Sequence, residues 1–262
     1  MSASAPTIAV IGGSGLYTLH EAPAVMQNVC ESVRQVETPY STAPVILYLE
    51  HTDSGPVWFL PRHGRDHSVA PHEINYRANL WALQQVGVRK IIAINAVGGI
   101  NARFSNGVLV LPDQIIDYSW GRDHTFFSGT HAFDKHIDFT YPYDAALGEA
   151  LAQAAKRLDL TLHKNAVYAC TQGPRLETAA EIRKLERDGC DIVGMTGMPE
   201  AALARELDLA YACVALVVNK AAGLEAGLIS LDTIRHVLEA GITDVKRLLL
   251  ETLTNLQTAQ QN

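Results

Sequence analysis

The stretch GMTGMPEAALARE (residues 194–206) lies between two stretches of the same kind, GPRLETAAEI (173–182) and ALVVNKAAG (215–223). Each places polar groups where an apolar, strand-like run gives way to a loop or a helix. Glu177 offers a carboxylate that can accept a ring N–H, and Asn219 offers a carboxamide that can donate to a ring oxygen or nitrogen. Open α/β sheets bind ligands at strand ends. A hydrogen-bond acceptor and a donor at such ends match the polar ring atoms of a purine, so the array suits a purine nucleoside.

The rest of the chain alternates short apolar runs with helical patterns, which predicts the α/β class. Strand-like runs occupy residues 7–11, 45–49, 57–60, 91–95, 108–111, 166–169, 192–195 and 212–218. Helices are predicted over 71–87, 144–158 and 178–188, from Pro199 onward, and from about 230 through the 240s. No linker rich in Pro, Gly or Ser divides residues 1–262, so we expect a single domain whose large sheet is mixed or strongly curved and flanked by helices, with 1–6 and 257–262 frayed.

Composition restricts the class of partner. The formal net charge of −7 argues against a nucleic-acid-binding surface, although a local cluster of donors can still bind a small anion. Cys30, Cys170, Cys190 and Cys213 show no metal-ligand spacing, so free thiols in a reducing compartment are expected. There is no apolar run of membrane-spanning length and no secretory signal pattern, and we expect a cytoplasmic protein that binds no membrane.

Four predicted strand ends carry small donors or a cation. The first is a glycine-rich turn, IAVIGGSGLY, and the second, FLPRHGRDH, brings an arginine whose fork matches two phosphate oxygens. Each end alone is compatible with an ordinary turn or a surface ion pair. Together they predict one oxoanion site, made by Ser14, Arg62, His63, Asn95, Ala96 and Thr196.

A metal site is not expected. His63 and His67 are four residues apart, but no glutamate base accompanies them, and Pro71 interrupts any helix that would continue to His72.

Seven motifs together carry a family resemblance: GGSGL, PRHGRDH, NYRANLWAL, NAVGGI, QGPRLET, GMTGMPE and VVNKAAG. The chain resembles the trimeric purine nucleoside phosphorylase and methylthioadenosine phosphorylase family over nearly its whole length, and is most similar to the bacterial members that cleave methylthioinosine. The resemblance implies the nucleoside phosphorylase fold, cleavage of an N-glycosidic bond by inorganic phosphate as co-substrate, no cofactor, and a homotrimer.

The same resemblance implies roles for individual residues. The six oxoanion residues occupy phosphate-binding positions, and Met195 occupies a ribose-contact position. Further substrate contacts fall on Asn219, Lys220 and Ala221 at the base, on His67 and His136 (the latter reached from a neighbouring subunit) at the sugar end, and on Leu231 and Ile234 at the 5′ pocket.

Catalysis would then rest on Arg62 and His63, which hold phosphate below C1′, and on Asn219, which donates to N7 or O6 of the departing base. Adenine-preferring members of the family carry Asp-x-Asp where this chain reads Asn219-Lys220-Ala221, so a 6-oxopurine is expected. An apolar 5′ wall favours a methylthio group, and the expected reaction is phosphorolysis of 5′-methylthioinosine in purine and methylthio salvage. The alternatives are phosphorolysis of inosine and guanosine or of methylthioadenosine, a purine-binding protein without catalysis, and a hydrolase that uses water.

Overall fold

The computed structural model describes residues 6–19, 32–128 and 135–261, with side chains to residue 258. In these residues the strands are β1 (Ile8–Gly12), β2 (Ser32–Thr38), β3 (Ser41–Thr52), β4 (Gly55–Pro61), β5 (Lys90–Gly99), β6 (Leu109–Asp117), β7 (Leu162–Cys170), β8 (Ile192–Gly194) and β9 (Ala210–Lys220). The helices are α1 (Tyr76–Gln85), α2 (Ala145–Arg157), α3 (Ala179–Arg187), α4 (Glu200–Glu206) and α5 (Leu231–Gln261). Cys30 lies outside the described residues.

One mixed sheet joins all nine strands in the order β2-β3-β4-β1-β5-β8-β7-β6-β9. Strand β5 also pairs with β9, so the five strands from β5 to β9 close into a ring. Strand β1 is parallel to both β4 and β5, which brings the carboxyl ends of these three strands to one edge. The predicted curved, mixed sheet flanked by helices is confirmed.

Helices cover both faces of this sheet because its central strands are apolar on both sides. In β5, Ile91 and Ile92 are fully buried on opposite faces. One face packs with α1 and α4 in a single apolar cluster, and the other packs with α2 and α5. The sheet edge that carries the loops is thereby held by a core on either side.

Two local predictions are wrong for identifiable reasons. Strand β2 was not predicted because it lies at the sheet edge, and Val36 is its one buried residue. The strand predicted over residues 91–95 continues through Gly98 and Gly99 as part of β5. A Cβ at Gly99 would lie 2.4 Å from the carbonyl oxygen of Phe104, so the glycine permits a close backbone approach rather than a reversal.

Two helix boundaries also differ from expectation. Helix α1 begins at Tyr76 because the Asn75 side chain accepts the Ala78 N–H and caps it there, several residues after Pro71. Helix α5 continues through residues 257–261, which were expected to fray. Gln257 donates to the carbonyl of Pro56 at 3.3 Å, which ties the last turns to β4.

The start of α3 gives a test of the local folding argument. Thr178 Oγ1 accepts the Glu181 N–H at 3.1 Å, and Glu181 Oε2 accepts the Thr178 N–H at 2.7 Å. We expect Thr178→Ala to lower the free energy of unfolding by about 1 kcal/mol, because the capping hydroxyl is lost. Urea denaturation measures the change, Thr178→Ser serves as the control, and equal stability of the alanine variant and the parent would contradict the capping argument.

Candidate active site

A cavity of about 320 Å³ opens where the loops leave this sheet edge. Its lining includes these residues predicted from the sequence: Ser14, His63, His67, Asn95, Ala96, Glu177, Met195, Thr196, Asn219, Ala221 and Ile234. Four other predicted residues lie outside its lining: Arg62, Lys220, Leu231 and His136. The structure therefore brings the predicted oxoanion, base and sugar residues to one cavity, with these exceptions.

The glycine-rich turn after β1 lies directly against β5. A Cβ at Gly13 would be 2.3 Å from the carbonyl oxygen of Ile94, so another residue there would have to displace backbone. This close approach sets Ser14 beside Asn95 and Ala96 in the cavity wall. The turn therefore ends β1 and also places Ser14 in the cavity wall.

Arg62 lies behind the cavity wall in a fully buried ion pair. Its Nε and NH2 donate to the two carboxylate oxygens of Glu200 at 2.8 and 2.6 Å, and NH1 donates to the carbonyl of Ile94 at 2.9 Å. Burial opposes the charged form, but the charge and hydrogen bonds of Glu200 outweigh it and raise the pKa of Arg62. Direct contact of Arg62 with phosphate stays a prediction, since two of the donors of its fork are occupied by Glu200.

Sequence reasoning missed Glu200. It follows Pro199 in the first turn of α4, where an acidic residue is ordinary helix-start chemistry and gives no separate signal. Its carboxylate also accepts the Tyr211 hydroxyl at 2.8 Å. Only the folded position of α4, which packs against α1 and β9, shows that it partners Arg62.

Asn95 orients the hydroxyl of Thr196. Its Nδ2 donates to Thr196 Oγ1 at 2.8 Å and its side chain is almost completely buried. The Thr196 oxygen accepts that bond, so its own hydrogen is free to donate into the cavity. Asn95 therefore fixes the direction of a donor at the cavity wall.

His63 presents an unprotonated nitrogen to the cavity. Its Nδ1 lies 2.8 Å from the carbonyl oxygen of Val69, an acceptor, so Nδ1 carries the hydrogen and Nε2 is bare. Burial, assisted by the neighbouring charge of Arg62, lowers the pKa of His63 to about 4. The imidazole is neutral at pH 7 in the unliganded protein.

The lowered pKa of His63 predicts a pH dependence of stability. Between its ordinary value of 6.5 and about 4, only the unfolded chain binds the proton. The free energy of unfolding therefore falls as pH falls through this window, by up to about 3 kcal/mol from this group, and levels off below it. Urea denaturation from pH 7.5 to 4 measures the fall, and His63→Gln should show a smaller one. Parallel curves for the two proteins would contradict the assignment.

His67 stands beside the glycine-rich turn. Its Nε2 lies 3.5 Å from Ser14 Oγ, its Nδ1 lies 3.3 Å from the Tyr17 hydroxyl, and its ring centre lies 4.6 Å from that of His63. His136 is exposed and does not line the cavity of its own chain.

The base end of the cavity carries the predicted acid and amide. Glu177 Oε1 accepts the Thr171 hydroxyl at 2.7 Å, which leaves Oε2 for a ligand. Asn219 Nδ2 donates to the carbonyl of Lys220 at 2.7 Å, which leaves its second hydrogen and its oxygen. The ammonium of Lys220 is held by the carbonyls of Ala102 and Phe104, 3.3 and 2.9 Å away, so its side chain points to these carbonyls and does not line the cavity.

One of the two residues predicted for the apolar 5′ pocket lines the cavity. Ile234 lines the cavity, but Leu231, at the first position of α5, is 63% exposed and lies outside it. A contact of Leu231 with the 5′ group therefore stays a prediction. Val69, Ala70 and Pro71 are further apolar lining residues that the sequence did not single out.

The described residues also bear on metal ions and membranes. No group of three His, Cys, Asp or Glu side chains within them is arranged to hold a metal ion. None of the helices in this part of the chain is long and apolar enough to cross a membrane.

Comparison with known proteins identifies the family. The model of the phosphorylase superfamily matches residues 7–254. The chain belongs to this superfamily. Among its relatives, a probable S-methyl-5′-thioinosine phosphorylase of Pseudomonas syringae pv. tomato is 48% identical over 94% of this chain and 98% of its own. The 6-oxopurine nucleoside phosphorylase of Pyrococcus furiosus is 43% identical over 94% and 91%.

A solved member of the superfamily has the same fold. Methylthioadenosine phosphorylase from Schistosoma mansoni, in complex with adenine, superposes with a TM-score of 0.86 at 30% identity, covering 95% of this chain and 91% of its own. The chain is thus a nearly full-length match to phosphorylases in both sequence and structure.

Proposed function

We propose that this phosphorylase cleaves 5′-methylthioinosine with inorganic phosphate, giving hypoxanthine and 5-methylthioribose 1-phosphate. The observation that carries the proposal is the single cavity in which Ser14, His63 and Thr196 lie with Glu177 and Asn219. The 48% identity to a probable methylthioinosine phosphorylase supports the same substrate.

The reaction needs phosphate held at C1′ and a donor for the leaving base. The hydroxyls of Ser14 and Thr196 bind phosphate oxygens, while Arg62, directly behind Gly13 and paired with Glu200, supports the glycine-rich turn that carries Ser14. The phosphate dianion stabilises the ribosyl cation as the glycosidic bond breaks, and Asn219 donates to the purine as negative charge develops on it. Phosphate is itself the nucleophile, and no side chain forms a covalent bond.

Hydrogen-bond matching sets the choice of base. An ionised Glu177 accepts the N1–H of a 6-oxopurine, whereas the bare N1 of a 6-aminopurine would meet a second acceptor. Asn219 can donate its remaining hydrogen to the ring. We infer a preference for hypoxanthine over adenine.

The lining of the 5′ pocket also fits a second candidate function, phosphorolysis of inosine and guanosine. The exposure of Leu231 leaves Ile234 as the one predicted wall residue in the cavity, which weakens the apolar argument for methylthio. The 43% identity to a 6-oxopurine nucleoside phosphorylase favours this alternative as well. An apolar contact discriminates by only about 1–3 kcal/mol, so a minor activity on inosine is expected.

A substrate panel with and without phosphate tests the proposal. We expect base release from methylthioinosine only when phosphate is present, with inosine slower and methylthioadenosine slowest. Release without phosphate would instead support a hydrolase, and binding without release a purine-binding protein. A faster reaction with inosine would assign the second candidate.

We also propose a cytoplasmic homotrimer that uses no cofactor, in which His136 reaches the cavity of a neighbouring subunit. The exposed position of His136 and the family resemblance support this arrangement. Light scattering on the purified protein measures the mass, and a His136→Ala variant should keep that mass while its KM for the nucleoside rises.

A further inference from the structure

Arg122 places a buried guanidinium between the two loops that carry the cavity's ligand groups. The side chain belongs to the irregular segment after β6, and the residue is 8% exposed. Its NH2 donates to the carbonyls of Thr171 and Gln172 at 3.2 and 2.8 Å, and its Nε donates to the Gln172 side-chain oxygen at 3.1 Å. One edge of the guanidinium therefore holds the loop that follows β7.

The other edge holds the loop that follows β8. Its NH1 donates to the carbonyl of Met195 at 2.9 Å and to that of Met198, and lies 3.3 Å from the Tyr76 hydroxyl. The acceptors of these bonds are all neutral oxygens, so the interactions fix backbone positions without neutralising the charge. A planar guanidinium presents its donors in a rigid fork, so it fixes the position of one loop relative to the other.

Each of the two loops serves a different part of the proposed substrate complex. The loop after β7 carries Thr171, whose hydroxyl donates to Glu177 at the base end. The loop after β8 carries Met195 and Thr196, which line the sugar and phosphate side. Arg122 itself does not line the cavity, so any effect it has on ligands passes through these loops.

We propose that Arg122 is a positioning residue that couples the base half of the site to the phosphate half. A ligand in either half restricts one loop, and the shared guanidinium then restricts the other, so the second ligand loses less entropy on binding. The coupling is reciprocal: phosphate raises the affinity for the purine by the same factor as the purine raises the affinity for phosphate. This inference rests on the proposed function, because it takes hypoxanthine and phosphate as the two ligands.

Isothermal titration of hypoxanthine with and without saturating phosphate tests the coupling. We expect phosphate to tighten hypoxanthine binding by about 5-fold or more in the parent protein, within the usual range of coupling between sites. In Arg122→Lys, whose ammonium lacks the fork, the ratio of the two dissociation constants should fall toward one. A purely structural role would weaken both affinities and leave that ratio unchanged.

Arg122→Met removes the fork entirely, and its thermal transition shows whether it folds. If it folds, its ratio should also fall toward one; if it does not fold, the ratio of Arg122→Lys alone tests the coupling. Arg205→Met is the matched control, since Arg205 donates to a carbonyl, that of Tyr141, outside the cavity. It should retain the parent's ratio. An unchanged ratio in Arg122→Lys would overturn the inference while the proposed function stands, whereas a parent protein that bound neither ligand would overturn the proposed function.

Discussion

Glu200→Ala is expected to lose about 3–5 kcal/mol of the free energy of unfolding, because it leaves the buried charge of Arg62 without its partner. Both side chains of this pair are completely buried, and the carboxylate occupies two of the arginine's donors. Urea denaturation measures the loss. The same variant should raise the KM for phosphate more than that for the nucleoside, since Arg62 would no longer be held behind the glycine-rich turn.

Two further variants separate stability from phosphate binding. Glu251→Ala removes an exposed ion pair with Arg157 and should change stability by about 1 kcal/mol or less. The double variant Arg62→Met/Glu200→Leu replaces the buried pair by apolar groups and should recover much of the stability without recovering the affinity for phosphate. A Glu200→Ala protein as stable as the parent, or a double variant with normal phosphate affinity, would contradict the role given to the pair.

The double change Asn219→Asp/Ala221→Asp is expected to move the preference from 6-oxopurine toward 6-aminopurine nucleosides. Both residues line the cavity, and carboxylates there can accept hydrogens from an exocyclic amine or a protonated N7. Donor–acceptor matching of this kind discriminates by up to about 10⁴-fold, so the ratio of kcat/KM for methylthioinosine and methylthioadenosine should fall by several orders of magnitude.

Lys220→Ala provides the control for this base-preference experiment. Its ammonium binds the carbonyls of Ala102 and Phe104 away from the cavity, so its removal should leave the ratio unchanged. An unaltered ratio in the double aspartate variant, or a reversed ratio in Lys220→Ala, would show that base choice is made elsewhere.

Several of the predicted residues that line the cavity share one property. They follow directly from a strand, as Ser14 follows β1, or lie within one, as Asn95 lies in β5. A strand's position in a parallel arrangement fixes where its carboxyl end lies, so local pattern was enough to predict that such residues meet. Ser14, Asn95 and Asn219, from the parallel strands β1, β5 and β9, accordingly line one cavity, and Thr196 joins them from the end of β8, which is antiparallel to β5.

The surroundings of other residues depend on tertiary packing and could not be predicted from the sequence. Whether Arg62 lines the cavity or lies behind it depends on how close α4 brings Glu200, and no local pattern records that distance. Arg122 lies in a segment without periodicity, and only the folded chain shows its carbonyl partners. Leu231 shared the apolar character of Ile234, but its place at the start of α5 leaves it exposed.

The rate of hypoxanthine release from 5′-methylthioinosine, followed with and without inorganic phosphate, is the most direct measurement of the central claim. We predict release that depends on phosphate, with 5-methylthioribose 1-phosphate formed in equal amount. Release of hypoxanthine together with free 5-methylthioribose, at a rate independent of phosphate, would contradict the claim that the cavity brings an oxoanion and a 6-oxopurine nucleoside together for reaction.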